Sequence, residues 1–301
     1  MPFNFKLKMK NTIKMMRPRH YIKNFLIFFP LFLVGQLFVW DKLFTVFIGF
    51  LTFCLMSSVV YIINDCCDLQ NDRKHSTKRL RAIASGMITK LEAIIIAILL
   101  TSISFALNII FANVLTIMVV LFYVVLNIAY SLRLKNIAIL DLILLALCYV
   151  IRVLYGDILI NAEIAIWVYL TVFSMAIFIG IIKRKNEILT QDNITRKVAS
   201  VYSVKALNIA EYIFMLLTFV LYLCYIILTI KDAVFGYNSL LLLLGGICVL
   251  FILLRYVKVT NKIGNSGNPV EVLFKDITLI TLVVLFMIFT TLGIYVEFPS
   301  F

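Results

Sequence analysis

Charge is scarce in this sequence. Of 301 residues, 14% are Asp, Glu, Lys or Arg and 63% are hydrophobic. A soluble domain cannot bury that much apolar surface, so a soluble globular fold is excluded. Histidine occurs twice, as His20 and His75, and a His-based metal centre is not expected. The six cysteines (Cys54, Cys66, Cys67, Cys148, Cys224 and Cys248) have neither zinc-site nor disulfide spacing. Four lie inside apolar runs, where Cys acts as a small hydrophobe. No small-residue cleavage site follows the first apolar run, so a cleavable leader is not expected. Acidic residues are outnumbered 15 to 28, for a net charge of +13.

Such a basic excess would suit a nucleic-acid binder, but its distribution argues otherwise. Nine apolar runs of membrane length are read at 25–40, 43–63, 91–111, 114–130, 138–160, 164–182, 206–230, 239–254 and 277–296. The first is short and carries Pro30, which favours a tilt or kink. With the amino terminus in the cytoplasm, 25 of the 28 Lys/Arg fall in segments on that face. Only Lys42 and Lys231 fall outside, and Arg152 lies within a span. This is the positive-inside pattern of an integral membrane protein, with nucleic acid excluded as a partner. The second and sixth runs end 119 residues apart, at Ile63 and Ile182, each before a charged stretch. That spacing predicts two four-helix halves plus a ninth helix, all-α, around a central cavity open to the cytoplasm. The expected organisation is a basic segment, 1–24, followed by a transmembrane domain, 25–301.

The polar residues that remain cluster at that same face. In NDCCDLQNDRKHSTKRLRAIASG (64–86), Asn64, Asp68 and Asp72 are spaced by four, which predicts one helical face. Carboxylates stacked this way repel unless a hard cation sits among them. Magnesium takes one or two protein carboxylates and completes its shell with water and substrate phosphate. Arg73, Lys74, Lys78, Arg79 and Arg81 follow, enough cation for a polyphosphate. Further clusters are Arg17–Asn24, with Lys23 and Asn24; Tyr130–Lys135; Lys183–Glu187 (KRKNE); and residues 255–276, which include GNSGNP. The alternatives are a solvated loop for 64–86 and a lipid-headgroup anchor for 17–24. Asp141 and Arg152 are eleven residues apart, on one face of a predicted helix. Arg152 is expected to face a polar cavity or to pair with Asp141 or a neighbouring helix.

NDxxDxxxD at the end of the second run resembles the first aspartate motif of the UbiA prenyltransferase superfamily. RPRHYIKN, NDCCDLQNDRKHSTKRLRAIASG, YSLRLK before Asp141, KRKNE, and RYVKVTNKIGNSGNPVEVLFKD together resemble its decaprenyl-phosphate phosphoribosyltransferase branch, from Arg17 to about Asp276. Ser76 and Ala82 stand where that branch usually has proline.

The resemblance implies a bacterial inner-membrane enzyme with a cytoplasmic active site. It would move 5-phosphoribosyl from phosphoribosyl diphosphate to a polyprenyl phosphate with magnesium as cofactor; a homo-oligomer is compatible with it. Asn64, Asp68 and Asp72 would hold the metal, and Asp68, Asp72, Lys183, Arg184 and Glu187 would carry the transfer. Glu187 would take either a ribose hydroxyl or a second metal. Lys23, Asn24, Lys78, Arg81, Tyr130, Lys135 and Arg152 would bind the substrates. An aromatic prenyltransferase of quinone-type biosynthesis is the alternative within the fold, but it would normally want a second aspartate motif. A lipid or solute transporter would want polar residues along a path through both faces.

Overall fold

In the computed structural model of the chain, residues 5–132, 134, 137–189, 202–231, 236–263, 272 and 275–296 are described. Their regular elements are helices: α1 (Phe5–Met16), a 3-10 stretch (Pro18–Phe28), α2 (Phe29–Leu33), α3 (Trp40–Cys67), α4 (Leu69–Lys74) and a 3-10 turn (Lys78–Leu80). Then come α5 (Lys90–Phe111), α6 (Val114–Leu132), α7 (Leu140–Ile160), α8 (Ile166–Leu189), α9 (Val204–Lys231), α10 (Tyr237–Ile263) and α11 (Ile277–Tyr295). Eight of them, α3 and α5–α11, are long and apolar enough to cross a bilayer. In hydrocarbon each backbone N–H must be satisfied within its own segment, and a long Leu/Ile/Val/Phe run can do that only as a helix.

The first expected span is not among the eight. Residues 25–40 run through the 3-10 stretch, the five residues of α2 and a turn. Pro30 has no N–H for the helical ladder, and Gly35 adopts φ +71°. The Gln36 N–H instead donates to the Leu31 carbonyl at 3.1 Å.

Three helices run well past their expected spans, α10 continuing nine residues beyond 254 to Ile263. α3 has 28 residues, about 42 Å at 1.5 Å each, against a hydrocarbon core of about 30 Å. Its last turn therefore carries Asn64 and Asp65 out of the apolar layer as helix. α8 likewise continues through 183–189, so KRKNE is helical.

The chain forms two compact units, and the division falls inside α7 rather than after the fourth span as expected: residues 151–163 belong with 1–32 and 36–135, and 136–150 belong with 33–35 and 164–301. In the first unit α3 packs on α5, α6, α1 and the 3-10 stretch. Phe53 lies 4.6 Å from the Tyr123 ring and 5.3 Å from Tyr155, and the Tyr155 hydroxyl donates to Asn108 Oδ1 at 2.9 Å. Gly156 lets α7 touch backbone: a Cβ there would sit 2.1 Å from the Ile27 carbonyl oxygen. In the second unit α8 packs on α9 and α10 on α11, around Phe178, Ile182, Leu253, Tyr256 and Leu279. Large apolar side chains on α5 face outward, among them Ile98 at 61% and Ile109 at 69% exposure. That inside-out distribution suits a lipid solvent.

Candidate active site

Each unit carries a polar cluster. In the first, α3 ends at Cys67, and Asp68 leaves helical geometry at φ −88°, ψ 7° before α4 begins. Asn64 and Asp72 thus fall in different helices, yet the Asp68 N–H donates to the Asn64 carbonyl at 2.9 Å and the Asp72 N–H to the Asp68 carbonyl at 2.8 Å, so the spacing of four is kept across the bend. The carboxylates that converge are Asp65 and Asp72. Arg81 Nη1 donates to Asp65 Oδ1 at 3.0 Å and to Asp72 Oδ2 at 2.7 Å. Arg17 Nη2 donates to Asp65 Oδ1 at 2.5 Å, and its guanidinium lies 4.8 Å from the Tyr61 ring centroid. Arg17 reaches there from a left-handed backbone, φ 55°, directly before Pro18. Buried Ala82, Ile83, Ala84 and Ile88 pin the Arg81 loop, with the Ile88 N–H donating to the Ala82 carbonyl at 3.1 Å. Asp65 and Asp72 are buried, whereas Asn64, Asp68 and Lys78 are half-buried.

Deeper in the same unit, Arg152 Nε donates to Asn24 Oδ1 at 2.8 Å and Nη2 to the Tyr123 hydroxyl at 3.2 Å. The guanidinium also lies over the Phe53 and Tyr123 rings. Asn24 is 1% exposed, and its Nδ2 donates to Ser57 Oγ at 3.3 Å. Asn24, expected to bind substrate, has both polar ends engaged by protein groups. Of the partners expected for Arg152, the structure gives a neighbouring helix, through Tyr123 of α6, rather than Asp141, which lies eleven residues and about 16 Å away along α7. Lys23 is half-buried beside this network, and Tyr130 is half-buried at the end of α6.

Asp141 belongs to the second unit, where it meets KRKNE. Arg184 Nη2 pairs with Asp141 Oδ2 at 2.6 Å, and Arg184 Nη1 donates to Glu187 Oε2 at 2.5 Å. The Tyr202 hydroxyl donates to Asp141 Oδ1 at 2.9 Å and accepts from the Ile139 N–H at 2.6 Å. Burial, with the Asp141 carboxylate alongside, pushes Tyr202 up to about 12, although the Ile139 N–H acts the other way. Lys185 is buried, ion-paired to Glu211 of α9 and donating to Asn261 Oδ1 of α10 at 2.7 Å. Lys183 is the exposed member, 4.0 Å from Glu187. The stretch read as basic is therefore balanced by Asp141, Glu187 and Glu211. Lys135 and GNSGNP lie outside the described residues.

Sequence reasoning missed Asp65 and Glu211. Asp65 and Asp72 are seven apart, two turns and hence one face of an unbroken helix, so the 65/72 pairing was as visible as the ladder. Glu211 is a carboxylate five residues into an apolar run, which itself marks a buried partner.

Among the described residues no group of three or more His, Cys, Asp or Glu forms a metal cage. The donor chemistry nonetheless fits magnesium. Two hard carboxylates already converge on one cationic nitrogen, and this metal needs only one or two of them.

The profile of the UbiA prenyltransferase family matches residues 25–267. The decaprenyl-phosphate phosphoribosyltransferase of Mycolicibacterium smegmatis is 40% identical over 100 residues, 32% of this chain and 31% of that one. The enzyme of the same name from Corynebacterium glutamicum is 25% identical over 189 residues, 62% of this chain and 57% of that one. The chain therefore matches about a third to somewhat over half of these relatives' lengths. A UbiA homologue from Archaeoglobus fulgidus, solved bound to DMAPP and Mg2+, superposes with a TM-score of 0.70 at 18% identity, covering 95% of this chain and 100% of that one. The eight membrane-length helices, the fold shared with that homologue and a profile match over most of the sequence agree: this chain belongs to the UbiA prenyltransferase family.

Proposed function

We propose that the protein transfers 5-phosphoribosyl from phosphoribosyl diphosphate to a polyprenyl phosphate in the bacterial inner membrane, at its cytoplasmic face. The bond from the anomeric carbon to the diphosphate oxygen breaks, one from that carbon to an acceptor phosphate oxygen forms, and diphosphate leaves. The acceptor is already an anion, so no strong base is required.

Magnesium, when bound, would neutralise the departing diphosphate. Asp68 and Asp72, with Asn64 and with Asp65 added by the structure, are the residues that would hold it. Arg81, bonded to two of them, would lie against the same diphosphate with Lys78. Lys183 and Arg184 would meet donor phosphate, and Glu187 fixes Arg184 in place for that contact. Lys23, Tyr130, Lys135 and Arg152 remain proposed substrate contacts.

The observation that carries this reading is the make-up of the second cluster. A prenyl diphosphate donor would call for a second pair of carboxylates converging on metal. Here the sequence puts three consecutive cations, Lys183, Arg184 and Lys185, at that position, and Asp141, Glu187 and Glu211 pair with them. The names of the curated relatives support the same donor. The test is incubation of purified protein with labelled phosphoribosyl diphosphate, magnesium and polyprenyl phosphates of several lengths, followed by solvent extraction. Label is expected in the lipid phase. Geranyl transfer to 4-hydroxybenzoate, with no labelled lipid from any acceptor, would replace this reading with aromatic prenylation.

A further inference from the structure

A groove of about 460 Å³ runs between α3 and α5, lined by Val59, Ile62, Cys66, Ile94, Ile98 and their neighbours. It falls in the size range of small-molecule pockets. Asp65, Asp72 and Arg81 contribute nothing to its lining, so it is separate from the candidate active site.

Its polarity runs from one end to the other. Lys90, at the mouth, is the only charged side chain in the lining. No described carboxylate lies within 4.0 Å of its ammonium, because Glu92, the nearest acid in sequence, is held by Lys8 and by the Thr89 cap. At the other end the Thr101 and Ser102 hydroxyls donate back into their own helix, to the Ala97 and Ile98 carbonyls. The interior therefore presents hydrocarbon and thiol only. A sugar phosphate would be stranded there without partners. An amphiphile with one anionic head and an apolar chain satisfies both ends. From Lys90 to Ser102 the helix rises about 18 Å, close to the roughly 15 Å of one leaflet. The flanking Ile95 and Leu99 are exposed on the bilayer side of α5, so the occupant arrives laterally.

We propose that this groove seats an acidic glycerophospholipid of the leaflet at the Lys90 end, one acyl chain between α3 and α5 and its phosphate on Lys90. This inference does not depend on the reaction proposed above.

Nanodiscs of phosphatidylglycerol and of phosphatidylcholine, with matched chains, provide the test. Native mass spectrometry counts retained lipid, and peptide mapping gives the rate of maleimide addition to Cys67, which is exposed and lines the groove. Phosphatidylglycerol should be retained in preference and should slow Cys67 alkylation about fivefold, the effect of one lysine near a charged leaflet. Lys90→Gln should abolish both differences. So should Ser102→Phe, which fills the groove from an exposed position and leaves the charge in place. Equal retention and equal alkylation in the two lipids would overturn the proposal. A phosphatidylglycerol preference that survives Ser102→Phe would also overturn it, by reporting surface charge alone. Displacement of the phospholipid by polyprenyl phosphate at equal mole fraction would overturn the choice of occupant.

Discussion

The Lys185–Glu211 pair allows a structural and a catalytic role to be separated. Lys185 is 4% exposed and Glu211 1%, each in a membrane-length helix. Glu211→Leu leaves a buried ammonium with Asn261 as its remaining described partner, and Lys185→Met leaves a buried carboxylate. Breaking a buried pair from one side costs about 3–5 kcal/mol, or about two to four decades in the folding equilibrium at 1.4 kcal/mol per decade. Removing both charges is different. Met and Leu are close in volume to the residues they replace, and such replacements are often neutral or stabilising. Asn261 is exposed and can turn its amide to water. Each single variant should therefore lose its monodisperse peak in mild detergent at a clearly lower temperature, and the double variant should return close to the wild-type midpoint. Ribosylated lipid should form with the double variant, since neither side chain is given a substrate contact. Additive losses in the double variant would refute the pairing. A folded, wild-type-stable double variant without transfer would refute the structural role and bring Lys185 or Glu211 into contact with substrate.

Under the proposed reaction, Asp65→Asn and Asp72→Asn should each lower lipid ribosylation, per folded protein, about a hundredfold or more; near-normal turnover in both would remove the carboxylate pair from the chemistry. Gly156→Ala should abolish recovery of folded protein, because its Cβ would meet backbone at Ile27, whereas Gly86→Asn, with nothing within 4 Å and a left-handed φ that Asn tolerates, should express normally. The fork from Arg255 holds Asp276 below the usual carboxylate range, so its contribution is complete above about pH 4 and disappears as pH falls through the depressed value. Thermal midpoints of wild type and Asp276→Asn should accordingly differ by the same amount at pH 8 and pH 6 and converge only as the pH falls below about 4. Calorimetry should show phosphoribosyl diphosphate binding with magnesium and little heat without it.

The apolar runs made eight of the nine spans legible, since length and hydropathy depend on the bilayer rather than on tertiary contacts. The first, 25–40, is not one continuous α-helix, because it holds both Pro30 and Gly35. Helix ends were the weak point elsewhere. Hydropathy reports where a segment leaves hydrocarbon, not where its hydrogen bonds stop, so α3, α8 and α10 run four, seven and nine residues past their expected limits. All three extensions carry residues of the polar clusters. The same blindness hid the bend at Asp68, which separates α3 from α4 within the Asn64/Asp68/Asp72 ladder. Partners of buried ions were equally hidden: periodicity placed Asp141 and Arg152 on one face, but a carboxylate takes the cation that another helix brings to it.

Charge balance within each cluster bears on how a polyanion binds. In the first unit Asp65 and Asp72 face Arg17 and Arg81; in the second Asp141, Glu187 and Glu211 face Lys183, Arg184 and Lys185. The basic excess of the sequence lies largely elsewhere, on exposed residues such as Lys10, Lys14, Arg73, Lys74 and Arg79, where salt and lipid headgroups screen it. A donor with a diphosphate and a further phosphate would thus meet protein charges that already neutralise one another. To bind, it must displace carboxylates from their guanidinium and ammonium partners or bring cations of its own. Displacement would strand Asp141 and Glu211, both almost fully buried, at several kcal/mol each. Bringing a divalent cation is the less costly route in the first cluster, because Asp65 and Asp72 would keep a positive partner when Arg81 turns to phosphate. In the second cluster the buried pairs Arg184–Asp141 and Lys185–Glu211 would stay closed, so Arg184 would meet donor phosphate while keeping Asp141, and exposed Lys183 is the cation most able to move. Under the proposed reaction the two clusters, alike in net charge, would therefore differ in what they can give up: the first would exchange one cation for another, and the second would keep its buried pairs.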